Sequence, residues 1–139
     1  IIEFLEEIKP FPSLFPEDRL QRARARQMAE IVNSGIQPLQ NLSVLQHVEG
    51  LGLDKIKWGR EYIQKGLAAL NHLASKDEHP FLTGNSPSVA DLCLIPQLYN
   101  ARRFKCNLEI FPRLLEVEKN CSELEAFIRA HPDNQPDAQ

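Results

Sequence analysis

Ser88-Val89-Ala90-Asp91-Leu92-Cys93-Leu94-Ile95-Pro96-Gln97, continuing to Asn100-Ala101-Arg102-Arg103-Phe104, is the stretch on which the fold turns. A serine followed three residues later by a carboxylate, just ahead of an apolar run, is a capping box. The Ser88 hydroxyl can accept from the N–H of Asp91, and the Asp91 carboxylate can reach back to the N–H of Ser88, so two donors orphaned at a helix start satisfy each other. Aspartate in place of glutamate or glutamine shortens the reach and keeps the logic. The spacing predicts a helix over 88–104, with a local distortion at Pro96, which has no N–H to donate. Taken alone, the box is an ordinary helix start, and Ser88 and Asp91 are structural residues.

Outward from this helix, turn formers fill 76–87, and Ile56, Ile63, Leu67, Leu70 and Ala74 mark a long helix before them, with Trp58 and Tyr62 adding aromatic surface. Earlier still, Leu20, Ala23, Met28, Ile31, Leu39, Leu42 and Leu45 recur near the helical period, following Glu17 and Asp18. Gly35 and Pro38 fall inside that run and predict one long helix kinked at 35–38. After Phe104, the set Leu114, Leu115, Val117, Cys121, Leu124 and Ile128 predicts a last helix over 112–130. Pro10, Pro12 and Pro16 read as a linker. Ile1, Leu5 and Ile8 stand at helical spacing without a capping residue ahead of them, so the opening residues read as the rear of a helix whose front is absent. The expected organisation is therefore a helix tail over 1–9, an interdomain linker over 10–16, an all-helical domain over 17–130 and an irregular tail over 131–139. No convincing period-2 segment and no internal repeat interrupts it, which makes the fold class all-α, a bundle of four or five helices.

With 139 residues, 42% hydrophobic and 25% charged, the chain can bury a core. A formal charge of −3 gives no general attraction to nucleic acid or an anionic membrane. The basic run Arg19, Arg22, Arg24 and Arg26 is interleaved with Gln21, Ala23 and Ala25 and reads as a solvated helix face. No apolar stretch approaches the length of a membrane span. Cys93, Cys106 and Cys121 are odd in number without C-x-x-C spacing, so neither a disulfide framework nor a zinc site is suggested, and a reducing, cytosolic setting fits best. Cys93 and Cys121 lie among apolar residues, where cysteine behaves as a small hydrophobe. His47, His72, His79 and His131 are scattered and lack the pairing of a metal or acid–base site. Ser34 and Ser43 have no neighbouring base, so no catalytic residue is assigned. The residues by themselves describe a helical binding or interaction domain.

Gly84-Asn85-Ser86-Pro87, the box and the apolar helix after it resemble the C-terminal domain of cytosolic glutathione transferases. Gly35-Ile36-Gln37-Pro38-Leu39-Gln40-Asn41-Leu42-Ser43-Val44-Leu45, together with Ala90-Asp91-Leu92-Cys93-Leu94 through Asn100-Ala101-Arg102-Arg103-Phe104, looks like the zeta class, the maleylacetoacetate isomerases. Ala126-Phe127, His131-Pro132, Gln135-Pro136-Asp137 and the opening Ile1-Ile2-Glu3-Phe4-Leu5-Glu6-Glu7 fit the same family. The resemblance implies a glutathione transferase C-terminal-like helical bundle, the substrate side of an enzyme whose thioredoxin-like N-terminal domain activates glutathione. It further implies glutathione as cofactor, cis–trans isomerisation of maleylacetoacetate to fumarylacetoacetate in phenylalanine and tyrosine breakdown, transferase activity on small α-halo acids, a cytoplasmic homodimer, and inactivity of this chain alone.

Residue by residue, Arg103 matches the family's arginine in the Asn-Ala-x-Arg-Phe segment, where a planar guanidinium suits a substrate carboxylate, while Arg102 occupies a variable position. The other reading of Arg103 is a cation complementing the helix dipole. Gln37 matches the glutamine that approaches glutathione or substrate at the kink, and Asn41, Leu42 and Ser43 match the contact segment after it. Their competing role is to satisfy backbone groups that the kink frees. At the level of function the alternative to an isomerase is a non-catalytic transferase-like module kept for dimerisation or assembly.

Overall fold

The protein's structure, a computed structural model, describes residues 1–76 and 78–138. Among them seven helices follow one another: α1 (Ile2–Ile8), α2 (Arg19–Asn33), α3 (Leu42–Gly50), α4 (Lys55–Ala74), α5 (Val89–Arg103), α6 (Pro112–Ser122) and α7 (Glu125–Ala130). Short 3₁₀ turns occupy Gln37–Gln40 and Pro132–Asn134, and no strand forms among the described residues, so the architecture is the expected all-α bundle.

Helix α5 is the centre of it. Val89, Ala90, Cys93, Leu94, Gln97, Leu98 and Ala101 are buried, a set wider than one amphipathic stripe, because the helix is enclosed on several sides. It packs chiefly on α2 through Ala25, Met28, Ala29 and Val32, with α4 contributing Ile63, Leu67 and Leu70, all three without exposed surface. Pro96 sits inside α5 without ending it. Two close approaches to α4 need glycine. A Cβ on Gly59 would overlap the Phe104 ring, and one on Gly66 would overlap the Ile36 side chain. The bundle can close at these points only because neither residue carries a side chain.

Two boundaries differ from the expectation. The predicted kinked helix over 17–45 is broken: α2 stops at Asn33, the chain turns through Ser34 and Gly35, and α3 starts anew with Asn41 as its cap. Pro38 lies in the first positions of the 3₁₀ turn, where its missing N–H costs nothing, and the buried Ile36 beside Gly66 pins the bend. The predicted helix over 112–130 likewise splits at Glu123 and Leu124 into α6 and α7, and the tail after Ala130 contains a short 3₁₀ turn. The loop before α5 is held from α6 by Arg113, a nearly buried guanidinium that donates to the carbonyls of Ala74, His79 and Phe81 and pairs with Glu116. The proline-rich residues after α1 are irregular, and Leu14 accepts from the N–H of Val89 at 2.9 Å, joining them to the start of α5.

The capping box is present in full and does more than cap. Asp91 has no exposed surface; its Oδ2 accepts from the N–H of Ser88 at 2.8 Å and from the Ser88 hydroxyl at 3.0 Å, while Oδ1 accepts from the N–H of Leu82 at 2.9 Å. The Ser88 hydroxyl also accepts from Thr83 Oγ1 and the N–H of Ala90. Burial pushes the carboxyl of Asp91 above the usual aspartate range, against the pull of these donors. Asp91→Ala strands two buried N–H groups, so a loss of about 2–4 kcal/mol is expected in denaturant unfolding, more than the 0.5–2 of a plain cap. Since the native state holds this proton to higher pH than the unfolded chain, the stability Asp91 contributes is fullest below the ordinary aspartate value and declines as pH rises through the raised native one. The stability difference between the native sequence and Asp91→Asn should therefore shrink across that window.

Candidate functional site

The family-matched residues lie in the turn after α2, at the start of α3 and in the last turn of α5. After α2, Ser34 and Gly35 both donate backbone N–H to the carbonyl of Glu30, and Ile36 donates to Val32, so the helix closes before the chain turns. Three consecutive residues then fasten the turn. Leu39 accepts at its carbonyl from Trp58 Nε1 at 3.0 Å, Gln40 pairs side chain to side chain with Gln97, and Asn41 Oδ1 accepts from the N–H and hydroxyl of Ser43, both at 3.1 Å. The backbone-satisfying role given as the competing reading of Asn41 and Ser43 is thus real, and it occupies Asn41 Oδ1, while the amide nitrogen of Asn41 has no hydrogen-bond partner among the described residues. Gln37 is exposed and its side chain makes no hydrogen bond with any described residue, and Leu42 is 69% exposed.

Arg103 stands in the last turn of α5, exposed, and forms neither an ion pair nor a hydrogen bond through its side chain with any described residue. Its backbone position is fixed from α4. Arg60 Nε donates to the carbonyl of Phe104 at 2.9 Å, and the Phe104 ring rests on Gly59. Trp58 and Arg60, one helical stretch, therefore hold the two groups at once: Trp58 the Gln37–Asn41 turn, Arg60 the end that carries Arg103. No hydrogen bond or ion pair among the described residues links Arg103 to Gln37, Asn41, Leu42 or Ser43, and all five are exposed.

Arg102 differs from its neighbour. Its guanidinium forms a two-bond pair with Glu118, at 2.6 and 2.7 Å, tying α5 to α6. It stands at the edge of a cleft of about 730 Å³ walled by Leu92, Ile95, Tyr99, Leu115, Phe127 and Ile128, with the His131 ring edge-on to Tyr99. This cleft is on another side of α5 and contains none of residues 37, 41–43 or 103. Its charged groups at Arg102 and Glu118 are already satisfied by each other.

Cys93 and Cys121 are buried as small hydrophobes, and desolvation raises the thiols of all three cysteines, Cys121 to about 12. None is poised as a thiolate. His47, His72 and His131 are exposed, no trio of His, Cys, Asp or Glu among the described residues could hold a metal ion, and no described helix is long and apolar enough to cross a membrane. What sequence reasoning missed is the Gln40–Gln97 pair. Its signal was available: Gln97 falls at the helical spacing of Ala90, Cys93, Leu94 and Ala101, a polar residue in an apolar register.

The family comparison places this all-α bundle: residues 18–117 match the glutathione S-transferase C-terminal domain. The chain belongs to the glutathione S-transferase family. Within it, the chain stands with the zeta-class maleylacetoacetate isomerases. It is 41% identical over 138 residues to probable maleylacetoacetate isomerase 1 of Drosophila melanogaster, covering 99% of this chain and 55% of that protein. The mouse maleylacetoacetate isomerase is 40% identical, with 99% and 62% covered. Among solved structures, the maleylacetoacetate isomerase of Anaeromyxobacter dehalogenans 2CP-1, with dicarboxyethyl glutathione and citrate bound in its active site, superposes at a TM-score of 0.94 with 47% identity over 99% of this chain and 63% of that one. The chain thus spans roughly three-fifths of the length of these relatives.

The two adjacent arginines should separate cleanly in unfolding experiments. Arg102→Ala removes a half-exposed ion pair and should lower stability by up to about 1 kcal/mol. Arg103→Ala touches no partner and should stay within about 0.5 kcal/mol of the native sequence.

Proposed function

We propose that this chain is the substrate-side part of a glutathione-dependent isomerase that converts maleylacetoacetate to fumarylacetoacetate, acting in the cytoplasm as a homodimer in phenylalanine and tyrosine catabolism, with glutathione transferase activity as a second capacity. The observation that carries the proposal is Arg103, an exposed arginine whose side chain has no partner among the described residues, next to Phe104, whose carbonyl accepts from Arg60 Nε. That the Anaeromyxobacter relative carries two polycarboxylates in its active site supports the same chemistry here.

Glutathione, when bound, supplies a thiolate that adds reversibly to the cis double bond, permits rotation and leaves, so it is regenerated. The donor set fits such a ligand, since a peptide with carboxylates and carbonyls needs N–H donors, and Gln37 and the Asn41 amide nitrogen are free to give them. The thiol-activating group belongs to a thioredoxin-like domain in this reading, with residues 1–9 the end of its last helix and 10–16 the linker. Arg103 binds a substrate carboxylate through its bidentate fork and holds that end of the molecule while the other end rotates. Gln37 orients the glutathione or substrate backbone, and Leu42 and Ser43 line its approach. Leu51, Leu53 and Ile56, exposed apolar residues clustered around the turn between α3 and α4, favour a second copy as a neighbour.

In the full-length protein, Arg103→Ala should raise KM for maleylacetoacetate about ten- to hundredfold, the worth of a charge-assisted hydrogen bond, with a smaller change in kcat and glutathione binding retained. Steady-state kinetics with glutathione titration checks this, and loss of glutathione binding would instead return Arg103 to the helix-dipole role. The 139-residue chain on its own should show no isomerase turnover at any glutathione concentration.

A further inference from the structure

Gln97 is the one residue of the buried face of α5, Asp91 apart, that carries a polar side chain, and it is 1% exposed. Its amide forms a closed pair with Gln40: Gln40 Nε2 donates to Gln97 Oε1 at 2.9 Å, and Gln97 Nε2 donates to Gln40 Oε1 at 3.2 Å. Neither side chain has another hydrogen-bond partner among the described residues. Burying an amide costs free energy that the pair at best returns, and a methionine of nearly the same shape would fill the space without that cost. Core packing therefore does not account for two glutamines here. Their position does. Gln40 ends the 3₁₀ turn that begins with Gln37 and immediately precedes Asn41, while Gln97 lies on the helix whose last turn carries Arg103.

We propose that the Gln40–Gln97 amide pair is a positioning device that sets the distance and angle between the Gln37–Asn41 turn and the Arg103 end of α5. This rests on the reading that those groups bind glutathione and substrate. The Trp58 bond to the Leu39 carbonyl and the seat of Ile36 on Gly66 hold the turn against α4; the amide pair adds a two-bond attachment directly to α5. A closed amide pair resists rotation of either partner because turning one breaks both bonds. The turn and the arginine then move as one body.

The test uses the full-length protein and compares Gln40→Met, Gln97→Met, the double variant, Gln97→Glu and Arg103→Ala. Losing one neutral pair that acts on placement should raise KM for maleylacetoacetate about three- to tenfold while kcat stays within about twofold. The double variant should match either single one, because the pair acts as a unit. Amide hydrogen exchange should accelerate over residues 39–43 in both single variants and remain unchanged in the middle of α4. Gln97→Glu supplies a signature that a packing role lacks: a protonated carboxyl can both donate to and accept from the Gln40 amide, so KM should return toward the native value as pH is lowered. A lowered Tm with native KM and native exchange at 39–43 would overturn the proposal, as would additive effects in the double variant. If Gln97→Met fails to fold, Gln40→Met at its half-buried position decides the matter by the same readouts. Arg103→Ala separates the two levels: if it raises KM and the glutamine variants do not, the positioning proposal alone falls, whereas an unchanged KM in Arg103→Ala removes the ligand-binding reading and this proposal with it.

Discussion

The buried carboxylate of Asp91 is the constraint on which the arrangement depends. It holds the start of α5 and the loop ahead of it together, accepting from Ser88 on its own helix and from Leu82 nine residues earlier. A carboxylate in the interior is costly unless its oxygens meet donors, so α5, its preceding loop and the first residues of the cap can settle only in the one arrangement that supplies them. Arg113 holds the same loop from the opposite side through three carbonyls. A cation taking carbonyls and an anion taking N–H groups divide the loop's backbone between them. That is how a segment rich in turn formers becomes a rigid lead into the central helix.

Once α5 is set, the placement of the site follows along its length. Its start meets Leu14 of the proline-rich segment, its middle meets Gln40, and its end meets Arg60 through Phe104. One helix thus connects the proline-rich segment, the Gln37–Asn41 turn and Arg103. Gln37, Asn41 and Arg103 are all exposed. The apolar cleft lies elsewhere, where α5, α6, α7 and the tail meet, and Arg102 and Glu118 at its edge are paired with each other.

Legibility followed the range of the interaction. The box at Ser88 and Asp91, the helix over 88–104, the α4 periodicity and the buried cysteines could all be read from neighbours in sequence, because capping and amphipathic spacing act within a few residues. The break at 34–41 was read as a kink because proline and glycine announce a fault without announcing its size. Buried Ile36, seated where Gly66 has no side chain, turned the fault into a separation of two helices. The division of 112–130 at Glu123 escaped for a similar reason, since the apolar spacing runs on across it. Arg102, read as occupying a variable position, proved to hold α6, and only the location of Glu118 on a facing helix could reveal that.

By itself, then, the sequence determined the class of the fold, the start of its central helix and the family resemblance, because each is written in local spacing or in motif. The tertiary structure alone decided which side-chain groups of the residues that the resemblance singles out are engaged. Asn41 through its Oδ1 and Arg102 through Glu118 are engaged with partners, while the side chains of Gln37 and Arg103 make no hydrogen bond with any described residue. The pairing of Gln40 with Gln97 is of the same kind. It needs α2 to end, the chain to turn and α5 to lie alongside before the two amides can meet, and a contact closed by packing between distant elements has no signature in either one alone.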